Sequence, residues 1–517
     1  MADREVRIAG GIVAGLVTLG VAEAVSVLIS PDSTPLQAVG AWVVDHTPDG
    51  FREWVIGLVG TNDKLLLFVS MGVVAVVLAA VAGLAERERR PLGSILFAVF
   101  GLLAVLAALG RPAAAWTWAI PAILGTAAGI LVLRSLIRRL AEFREGGDET
   151  PAESDSTEAS STQRRQVMRW LAVTGAAAVA AGVAGRIIGL RSRDVSAERA
   201  DVQLPTPTSA EPPIDPGADL KLPGLTPYLT SNSDFYRIDT ALTVPQVSKD
   251  DWSLRIHGMV DHEIRLSYAD LAARTPIERL ITLTCVSNPV GGDLIGNARW
   301  LGYRLDELIA QAGPHPDADM VLSRSIDGFT AGSPLAVLTD GRDAMLAVGM
   351  NGEPLPTAHG YPARLVVPGL YGYVSATKWV TELEITRFDR AEAFWTKRGW
   401  SARGPIKTEC RIDTPRGRGL APGKVTIAGV AWAQHRGIRG VEVRIDQGDW
   451  QPARLAAAPS IDSWVQWAFD WDAPAGSGVH TVWARATDGT GETQTDQQQD
   501  VVPDGATGYP SLTVRIG

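Results

Sequence analysis

Cysteine is almost absent from this chain of 517 residues, where it occurs only at positions 285 and 410. Two cysteines exclude a disulfide-rich scaffold, because such scaffolds need several bridges within a short chain. A single bridge between Cys285 and Cys410 remains open. The sequence also lacks a CxxCH, a paired CxxC and an HExxH motif. Covalent haem attachment and the zinc sites that those motifs build are therefore not expected.

Charge is also scarce. Charged residues make up 20% of the chain and the net charge is -9, without a basic stripe interleaved with aromatic residues, so a nucleic-acid partner is not expected. The hydrophobic content of 46% and the mean hydropathy of +0.08 are typical of a soluble protein that carries a membrane part. The length predicts about three domains.

Long apolar runs are concentrated in the N-terminal part. Five of them approach the ~20 residues that cross the hydrocarbon of a bilayer, at residues 8–29, 65–85, 92–109, 113–137 and 170–190. Arginines lie before the first run, after the second, after the fourth and before the fifth, and positive charge marks the cytoplasmic side. Residues 1–140 are therefore predicted to form a four-helix transmembrane region, and a fifth helix carries the following domains out of the cytoplasm. The predicted location is the cell membrane, multi-pass, with the lipid bilayer as a partner.

The fifth run has an unusual leader, in which Arg164 and Arg165 precede Val167 and Met168. It resembles a twin-arginine export signal with Val167 and Met168 in place of the usual Phe-Leu pair. The alternative, that these arginines are only positive-inside charge, remains open. We predict three consecutive segments: a flexible cytoplasmic linker, a twin-arginine-like transmembrane helix and a Pro-, Thr- and Asp-rich tether, at residues 141–163, 164–192 and 193–228.

The apolar runs contain no histidine, since His46 lies in a loop and the other six histidines follow residue 250. A b-type haem held by two membrane histidines is therefore not expected, and the cofactor prediction includes no haem. Glu23 is the only acidic residue in the runs, and we attribute it to a position near the end of its helix.

The C-terminal part divides by composition into two predicted domains. Residues 229–392 mix short strands and short helices without a repeating βαβ order, which indicates an α+β domain. Residues 403–517 contain short β-rich runs separated by Gly, Asp and Pro turns, which is typical of an immunoglobulin-like sandwich. The predicted fold class is therefore multi-domain, with a five-helix all-α transmembrane part, an α+β domain and an all-β immunoglobulin-like sandwich.

Cys285 stands in a loop rich in Gly, Asn and Ser, directly after a strand-like run that ends at Thr284. A thiolate offered from such a loop is a good ligand for a redox metal. The alternative is that Cys285 is a small buried hydrophobic residue, as single cysteines among apolar neighbours commonly are.

Motifs around Cys285 and on both sides of it occur in a fixed order. They are residues 232–237 (NSDFYR), 282–288 (TLTCVSN) with 296–302 (GNARWLG), and 350–356 (MNGEPLP) with 359–364 (HGYPAR), 368–372 (PGLYG) and 375–379 (SATKW). This series resembles the sulfite oxidase family of molybdopterin-dependent oxidoreductases, here of a membrane-anchored bacterial type. The resemblance covers residues 228–390, and the β-rich domain looks like that family's dimerisation domain.

The resemblance implies a molybdenum–molybdopterin cofactor with Cys285 as the protein's metal ligand. His359 and Arg364 match residues that bind the pterin or its phosphate. The full set of implied cofactor-binding residues is Asn232, Tyr236, Arg237, Cys285, His359, Arg364, Ser375, Ala376, Thr377 and Lys378. The implied catalytic residues are Cys285, Arg237 and Asp327, the last because its stretch lines the substrate pocket in the family.

The chain departs from the family in two places. One position after Arg237, where the family places an arginine for the sulfite anion, this chain has Ile238. The sulfoxide-reducing branch of the family lacks the C-terminal sandwich that is predicted here. The first departure argues against sulfite as the substrate, and the second argues against membership of the sulfoxide-reducing branch.

The predicted function is a membrane-anchored oxidoreductase that transfers an oxygen atom in a two-electron reaction on a small sulfur or other oxyanion. One alternative is sulfoxide reduction at the same site, and another is a non-catalytic extracytoplasmic binding module. The expected partners are an electron carrier, either a cytochrome or a quinone, and a second copy of the chain bound through the C-terminal domain.

Overall fold

The computed structural model describes residues 2–48, 51, 55, 58–59, 63–111, 114–145, 156–416, 419–476 and 478–517. The chain forms two compact units, Met1–Asp194 and Val195–Gly517.

The first unit is helical. The helices whose bounds the described residues define are Ala2–Ser26, Pro35–His46, Asp63–Ala85, Leu92–Leu109, Ala119–Glu145 and Ser156–Ser192, with 3-10 turns at Pro31–Ser33 and Trp116–Trp118. A two-stranded ribbon of β1 (Glu86–Arg87) and β2 (Arg90–Pro91) joins two of them. Among the described residues, five helices are long and apolar enough to cross a membrane by length and composition.

Helix Ala2–Ser26 packs against three other long helices through small residues. A Cβ atom at Gly11 would lie 2.1 Å from the carbonyl oxygen of Ala79, and one at Gly20 would lie 2.2 Å from that of Ala178. Only glycine therefore permits these close backbone approaches, which are typical of helix packing in membranes. Near the end of this helix, Glu23 forms an ion pair of 3.7 Å with Arg186 of helix Ser156–Ser192.

The predicted flexible linker at 141–163 is wrong at both of its ends. Helix Ala119–Glu145 extends into it, and the fifth long helix begins at Ser156 rather than at 164. Residues 156–163 contain neither Gly nor Pro, so their sequence does not interrupt a helix. Residues 146–155 of the predicted linker lie outside the described residues.

The predicted tether at 193–228 is also wrong from residue 195 onward. This segment belongs to the second unit and contains helix Ser196–Asp201 and the 3-10 turn Pro216–Ala218. Val195, Ala218 and Tyr228 are buried in its hydrophobic clusters. A Pro-rich composition favours extended backbone, and here the extended chain is anchored by scattered apolar side chains.

Residues 253–386 form an α+β arrangement with two five-stranded sheets in the described part of the chain. The first sheet has the order β10–β9–β6–β5 with β11 paired to β9, and all of its pairs are antiparallel. Its strands are β5 (Pro276–Thr284), β6 (Ile295–Arg304), β9 (Met345–Met350), β10 (Glu353–Pro354) and β11 (Arg364–Val366).

The second sheet has the order β4–β3–β12–β7–β8, with β3 and β12 parallel. Its strands are β3 (Ser253–Gly258), β4 (Ile264–Ser267), β7 (Met320–Ser325), β8 (Thr330–Pro334) and β12 (Val380–Thr386). The short helices of this region are Tyr268–Ala272, Leu305–Ala312, Leu335–Leu338 and Gly372–Ser375, with 3-10 turns at Thr357–His359 and Thr396–Arg398.

The C-terminal strands form two four-stranded antiparallel sheets, within the described residues, that share one hydrophobic core. The orders are β13–β14–β18–β17 and β16–β15–β19–β20. The strands are β13 (Glu409–Thr414), β14 (Gly423–Trp432), β15 (Ile438–Ile445), β16 (Gln451–Pro452), β17 (Arg454–Leu455), β18 (Val465–Ala473), β19 (Gly478–Asp488) and β20 (Ser511–Ile516). Along β19, Val482, Ala484 and Ala486 are buried at every second position, as expected for a strand with one face on a core.

Candidate cofactor site

A cavity of about 110 Å³ lies beside the loop that follows β5. Seven of the residues that the sequence singles out line it: Tyr236, Cys285, Asp327, His359, Arg364, Ala376 and Lys378. These residues come from five separate segments of the chain. The fold therefore places in one cavity wall residues that the sequence motifs assign to one site.

Cys285 is the first residue after β5 and is 8% exposed. Its amide donates a hydrogen bond to the carbonyl oxygen of Leu294 at 2.9 Å, and its own carbonyl accepts from the amide of Asn288 at 3.1 Å. The Asn288 side-chain oxygen accepts from the Leu294 amide at 2.9 Å, which closes the loop. Burial raises the pKa of the Cys285 thiol, and hydrogen bonds from Ser287 oppose that rise. Both cysteines are free, so the bridge between Cys285 and Cys410 does not form.

Residues of the C-terminal region donate hydrogen bonds to β5, the strand that precedes Cys285. The side-chain amide of Gln434 donates to the carbonyl oxygen of Thr282 at 3.0 Å and to the hydroxyl of Thr284 at 3.1 Å. The backbone amide of Trp464 donates to the Thr282 hydroxyl at 2.8 Å. All four residues are buried, so the position of Cys285 depends on both the α+β region and the sandwich.

Arg364 begins β11 and is 5% exposed. Its guanidinium donates to the carbonyl oxygens of His359 at 3.1 Å and of Leu365 and Ala376 at 3.4 Å. Among the described residues, no carboxylate forms a salt bridge with Arg364. Burial lowers the pKa of Arg364 to about 10, which leaves it protonated at neutral pH. A buried cation that donates its hydrogen bonds to neutral carbonyls keeps a positive charge with which it can bind an anion.

Lys378 supplies a second buried cation. Its Nζ atom lies 2.9 Å from Oδ2 of Asp239 and donates to the carbonyl oxygen of Ala358 at 3.3 Å. Burial lowers the pKa of Lys378 to about 8, and Asp239 opposes that shift. Asp239 also accepts a hydrogen bond of 2.7 Å from Arg237, so it bridges two cationic side chains.

His359 is 5% exposed, and its Nε2 atom lies 3.0 Å from the carbonyl oxygen of Asn232. A carbonyl oxygen only accepts, so Nε2 carries the proton and Nδ1 keeps its lone pair. Burial, together with the charge of Arg364, lowers the pKa of His359 to about 4. His359 is therefore a neutral hydrogen-bonding group at neutral pH rather than a third cation.

The side chains present fit a molybdopterin group. Arg364 and Lys378 provide donors and positive charge for its phosphate, and Cys285 provides a thiolate ligand. Two buried polar atoms near these residues, Oγ of Ser325 in the cavity wall and Nδ2 of Asn288 in the Cys285 loop, have no hydrogen-bond partner within the described structure. Unsatisfied buried polar atoms of this kind are expected where a ligand completes the site.

Four predicted cofactor residues lie outside the described cavity wall. Asn232 holds His359 through its carbonyl and accepts from Asn351 at 2.9 Å. The hydroxyl of Ser375 donates to the carbonyl of Tyr371 at 2.9 Å, and that of Thr377 lies 2.7 Å from the Ser323 hydroxyl. These two hydroxyls are engaged within the protein, so the prediction for Ser375 and Thr377 now rests on their backbone atoms.

Arg237 is the fourth. Its side chain is 38% exposed and pairs with Asp239, while the neighbouring Ile238 lines the cavity. The assignment of Arg237 to catalysis and cofactor binding stays a prediction. Asp327 does line the cavity, where it accepts hydrogen bonds from the Thr240 hydroxyl at 3.2 Å and from the Phe329 amide at 3.1 Å.

Sequence reasoning missed a wall of aromatic side chains in the same cavity. Phe329, Tyr373, Trp395 and Trp400 line it. Trp400 lies 6.2 Å from Trp395 and 5.9 Å from Tyr373 between ring centroids, and Phe394 connects Trp395 with Phe329. The two tryptophans five positions apart in residues 394–400 (FWTKRGW) were the available signal. Asp239 was also missed, although it follows Arg237 by two positions.

Residues 241–395 match the family described as oxidoreductase molybdopterin binding domain. Sulfite oxidase of Gallus gallus is 27% identical in an alignment of 339 residues that covers 56% of this chain and 72% of that protein. Mitochondrial sulfite oxidase of Homo sapiens is 28% identical in an alignment of 310 residues that covers 50% of this chain and 56% of that protein. The chain thus spans little more than half the length of the human relative.

An uncharacterised oxidoreductase of Bacillus subtilis, YuiH, is 33% identical over 153 residues, which are 30% of this chain and 74% of that protein. Among solved structures, the sulfane dehydrogenase SoxCD of Paracoccus pantotrophus aligns with a TM-score of 0.49 at 23% identity, over 56% of this chain and 81% of that chain.

The domain match and the sulfite oxidase relatives agree with a site in which a buried cysteine, two cations and a neutral histidine meet. They support an enzyme rather than a non-catalytic binding module. The chain belongs to the sulfite oxidase family of molybdopterin-dependent oxidoreductases and is an enzyme that uses a molybdenum cofactor.

Proposed function

We propose that this enzyme is anchored in the cell membrane and carries out two-electron oxygen-atom transfer on a small sulfur compound outside the cytoplasm. The observation that carries the proposal is the placement of Cys285 in the wall of one cavity with His359, Arg364 and Lys378. A thiol and an anion-binding group have to lie this close together if one cofactor is to contact both.

Each side chain has a distinct part in this proposal. Cys285 ligates the metal as a thiolate, and the bound metal counteracts the burial that raises the pKa of the free thiol. Arg364 and Lys378 would hold the phosphate, and His359, whose Nε2 atom is engaged by Asn232, would offer Nδ1 as a hydrogen-bond acceptor. When bound, the molybdenum cofactor supplies a redox centre that exchanges an oxygen atom and two electrons with substrate.

The first candidate substrate is a sulfur oxyanion such as sulfite. Sulfite takes up one oxygen from water and gives sulfate, two protons and two electrons, and the electrons pass to a separate cytochrome or to quinone. The sulfite oxidase relatives support this candidate. Arg237 precedes by one residue the position that the family uses for the anion, and its positive charge is offset by the ion pair with Asp239.

The second candidate is reduction of a sulfoxide, in which the sulfoxide takes up two electrons and two protons and gives a thioether and water. The balance of charges in the cavity wall favours this second candidate. The charged side chains of the wall are Asp239, Asp327, Arg364 and Lys378, so the two cations are balanced by two carboxylates before any phosphate binds. The remaining wall is aromatic, which suits an uncharged substrate with apolar substituents.

We also propose the membrane topology that the arginine distribution predicts, with five crossings and the unit Val195–Gly517 outside the cytoplasm. The five apolar helices support it. For the C-terminal domain we propose an immunoglobulin-like sandwich. Its two strand orders correspond to A–B–E–D and C′–C–F–G when β13 to β20 are lettered in sequence. We expect this domain to mediate a homodimer.

One preparation of the full-length protein in detergent tests the proposal. Molybdenum is measured against protein, the pterin is detected by its fluorescence after oxidation, and dye-linked assays follow sulfite oxidation and sulfoxide reduction in parallel. Stoichiometric molybdenum with turnover of one substrate supports the proposal and selects the direction. Stoichiometric molybdenum with turnover of neither sulfur substrate would overturn the substrate class.

A further inference from the structure

The short helix Ser196–Asp201 forms hydrogen bonds with the loop that contains His359 and Arg364. We define residues 353–364 as the cofactor loop. We propose that Glu198 and Arg199 are positioning residues that hold this loop in its cofactor-binding conformation. The proposal rests on the proposed roles of His359 and Arg364 and adds two residues from outside the residues that match the family, 241–395.

Glu198 holds the C-terminal half of the cofactor loop. Its Oε1 atom accepts hydrogen bonds from the Tyr361 hydroxyl at 2.6 Å and from the Lys249 amide at 2.8 Å. Its Oε2 atom accepts from the Ser248 hydroxyl at 2.6 Å. Tyr361 is 1% exposed and lies between His359 and Arg364 in sequence, so its hydroxyl would be buried without a partner if Glu198 were absent.

Arg199 holds the N-terminal half of the same loop. Its Nε atom donates to the carbonyl oxygens of Leu355 at 2.8 Å and Pro354 at 3.1 Å. Its Nη2 atom donates to Pro354 at 2.6 Å and to the carboxylate of Glu353 at 2.7 Å. Consecutive residues of one short helix therefore bind both ends of the cofactor loop.

The hydrophobic packing follows the same pattern. Val195 is 6% exposed and belongs to a cluster with Leu355 and Tyr361 of the cofactor loop and with Phe235 and Trp300. The Phe235 ring lies 5.7 Å from that of His359, and the Trp300 ring lies 5.1 Å from the Arg364 guanidinium. The cluster thus connects the segment after the helix with the two side chains that face the cofactor.

Ordinary surface packing would not need this arrangement. A segment that served only as a connection between helix and domain could be attached anywhere on the second unit. Here its carboxylate and its guanidinium both bind one twelve-residue loop. The two ends of that loop pair with β9, and Asn232, Lys378 and Trp379 bind its middle part. Loss of the Glu198 and Arg199 contacts would leave the loop held by β9 and by the site residues, with the buried Tyr361 hydroxyl and the carbonyls of Pro354 and Leu355 deprived of these partners.

The test uses the full-length holoenzyme, four single variants and the double variant Glu198→Ala/Tyr361→Phe. Glu198→Ala removes all three acceptor contacts, Glu198→Gln keeps one acceptor oxygen, and Tyr361→Phe removes only the donor hydroxyl. Asp201→Asn is the matched control, because Asp201 is an exposed acid of the same helix. The measurements are the rate of molybdenum and pterin loss well below the unfolding temperature, and hydrogen exchange of the amides at 353–364.

We expect Glu198→Ala to lose cofactor roughly tenfold faster than the unsubstituted protein and to show faster exchange within the cofactor loop. Glu198→Gln should lose cofactor at a rate between those of Glu198→Ala and the unsubstituted protein. Asp201→Asn should lose cofactor at the same rate as the unsubstituted protein. Tyr361→Phe combined with Glu198→Ala should be no worse than Glu198→Ala alone, because the hydrogen bond that Tyr361→Phe removes is already lost in Glu198→Ala. The KM of the enzyme that remains loaded should not change.

A lower unfolding temperature with unchanged cofactor loss and unchanged loop exchange would overturn the proposal, since that result would mean a purely structural role. Absence of molybdenum from the unsubstituted protein would instead overturn the proposed function. In that case the exchange measurement alone would still decide whether Glu198 positions the loop.

Discussion

Nζ of Lys378 lies 2.9 Å from Oδ2 of Asp239 in the wall of the cavity that also contains Cys285. The Asp239 side chain is 5% exposed, so this ion pair is screened little by solvent. The carboxylate keeps the ammonium charged despite its burial, and it reduces the positive charge that the site offers to a phosphate. These two effects of one residue can be separated by changing the pH.

The first prediction concerns the pH dependence of cofactor retention. Burial lowers the pKa of Lys378 to about 8, so its positive charge is present below that pH and is lost as the pH rises through it. Arg364 and Arg237 lower this pKa further, and Asp239 raises it. Retention of the anionic cofactor should therefore fall between pH 7 and pH 9.

Asp239→Asn should move that fall to lower pH by roughly one to three pH units, because the opposing carboxylate is removed. The measurement is the molybdenum content after gel filtration at a series of pH values. Asp234→Asn, in an exposed acid of the same segment, is the control and should leave the curve in place. An Asp239→Asn curve that coincides with the control would contradict the assigned coupling.

The second prediction concerns the two cysteines. Cys285→Ser should reduce turnover by at least roughly three orders of magnitude, because an alcohol is a poor ligand for a soft metal site at neutral pH. Circular dichroism should show an unchanged fold. Cys410→Ala is the matched change in the other thiol, whose sulfur donates to the Gln494 side chain at 3.2 Å in the sandwich core.

Cys410→Ala should retain the specific activity of the enzyme and cost about 1–3 kcal/mol of unfolding free energy, measured with urea. The reverse pattern, with Cys410 needed for turnover and Cys285 dispensable, would remove the assignment of the metal ligand.

The third prediction concerns Arg364. Arg364→Lys keeps the charge but cannot donate to three carbonyl oxygens and a phosphate in the fixed geometry of a guanidinium. We expect the cofactor to dissociate roughly 10–100-fold faster, as followed by pterin fluorescence in the filtrate. Arg324→Lys is the control, since Arg324 is partly exposed and pairs with Glu382. Equal dissociation rates in the two variants would argue against Arg364 as a phosphate ligand.

The fourth prediction concerns the helical unit. Glu23 and Arg186 join the first and fifth long helices by an ion pair of 3.7 Å. Glu23→Gln should lower the free energy of unfolding of the detergent-solubilised protein, measured by thermal unfolding, by roughly 0.5–1.5 kcal/mol. Adding Arg186→Gln should cost little more, because the partner charge has already lost its counter-ion. Fully additive losses would mean that the two charges act independently.

The sequence was sufficient to predict that several candidate site residues lie together, and their roles in binding the cofactor stay predictions. Cys285, His359, Arg364 and Lys378 each stand in a short motif, and the fold places all four in one cavity wall. The apolar runs also predicted the long helices to within a few residues at most ends. Local sequence patterns were sufficient to predict these features, because a short motif or an apolar run is formed by residues that are neighbours in the sequence.

Other residues could not be predicted in this way. Asp239 meets Lys378 across 139 positions of sequence, and Trp400 reaches the cavity from a segment beyond the matched domain. The predicted tether failed for the same reason. Its Pro, Thr and Asp composition is that of a flexible linker, and only tertiary contacts such as Glu198 with Tyr361 reveal that it is folded.

The contacts from Gln434 and Trp464 to the strand before Cys285 limit how this enzyme can be rebuilt. A chimera that exchanged residues 403–517 for another β-sandwich would need an amide side chain at 434 and a backbone N–H at 464 in the same places. Without them, the Thr282 and Thr284 hydroxyls would lose partners in a region that water does not reach. The C-terminal domain therefore helps to fix the position of Cys285, and an exchange of this domain would have to preserve these contacts.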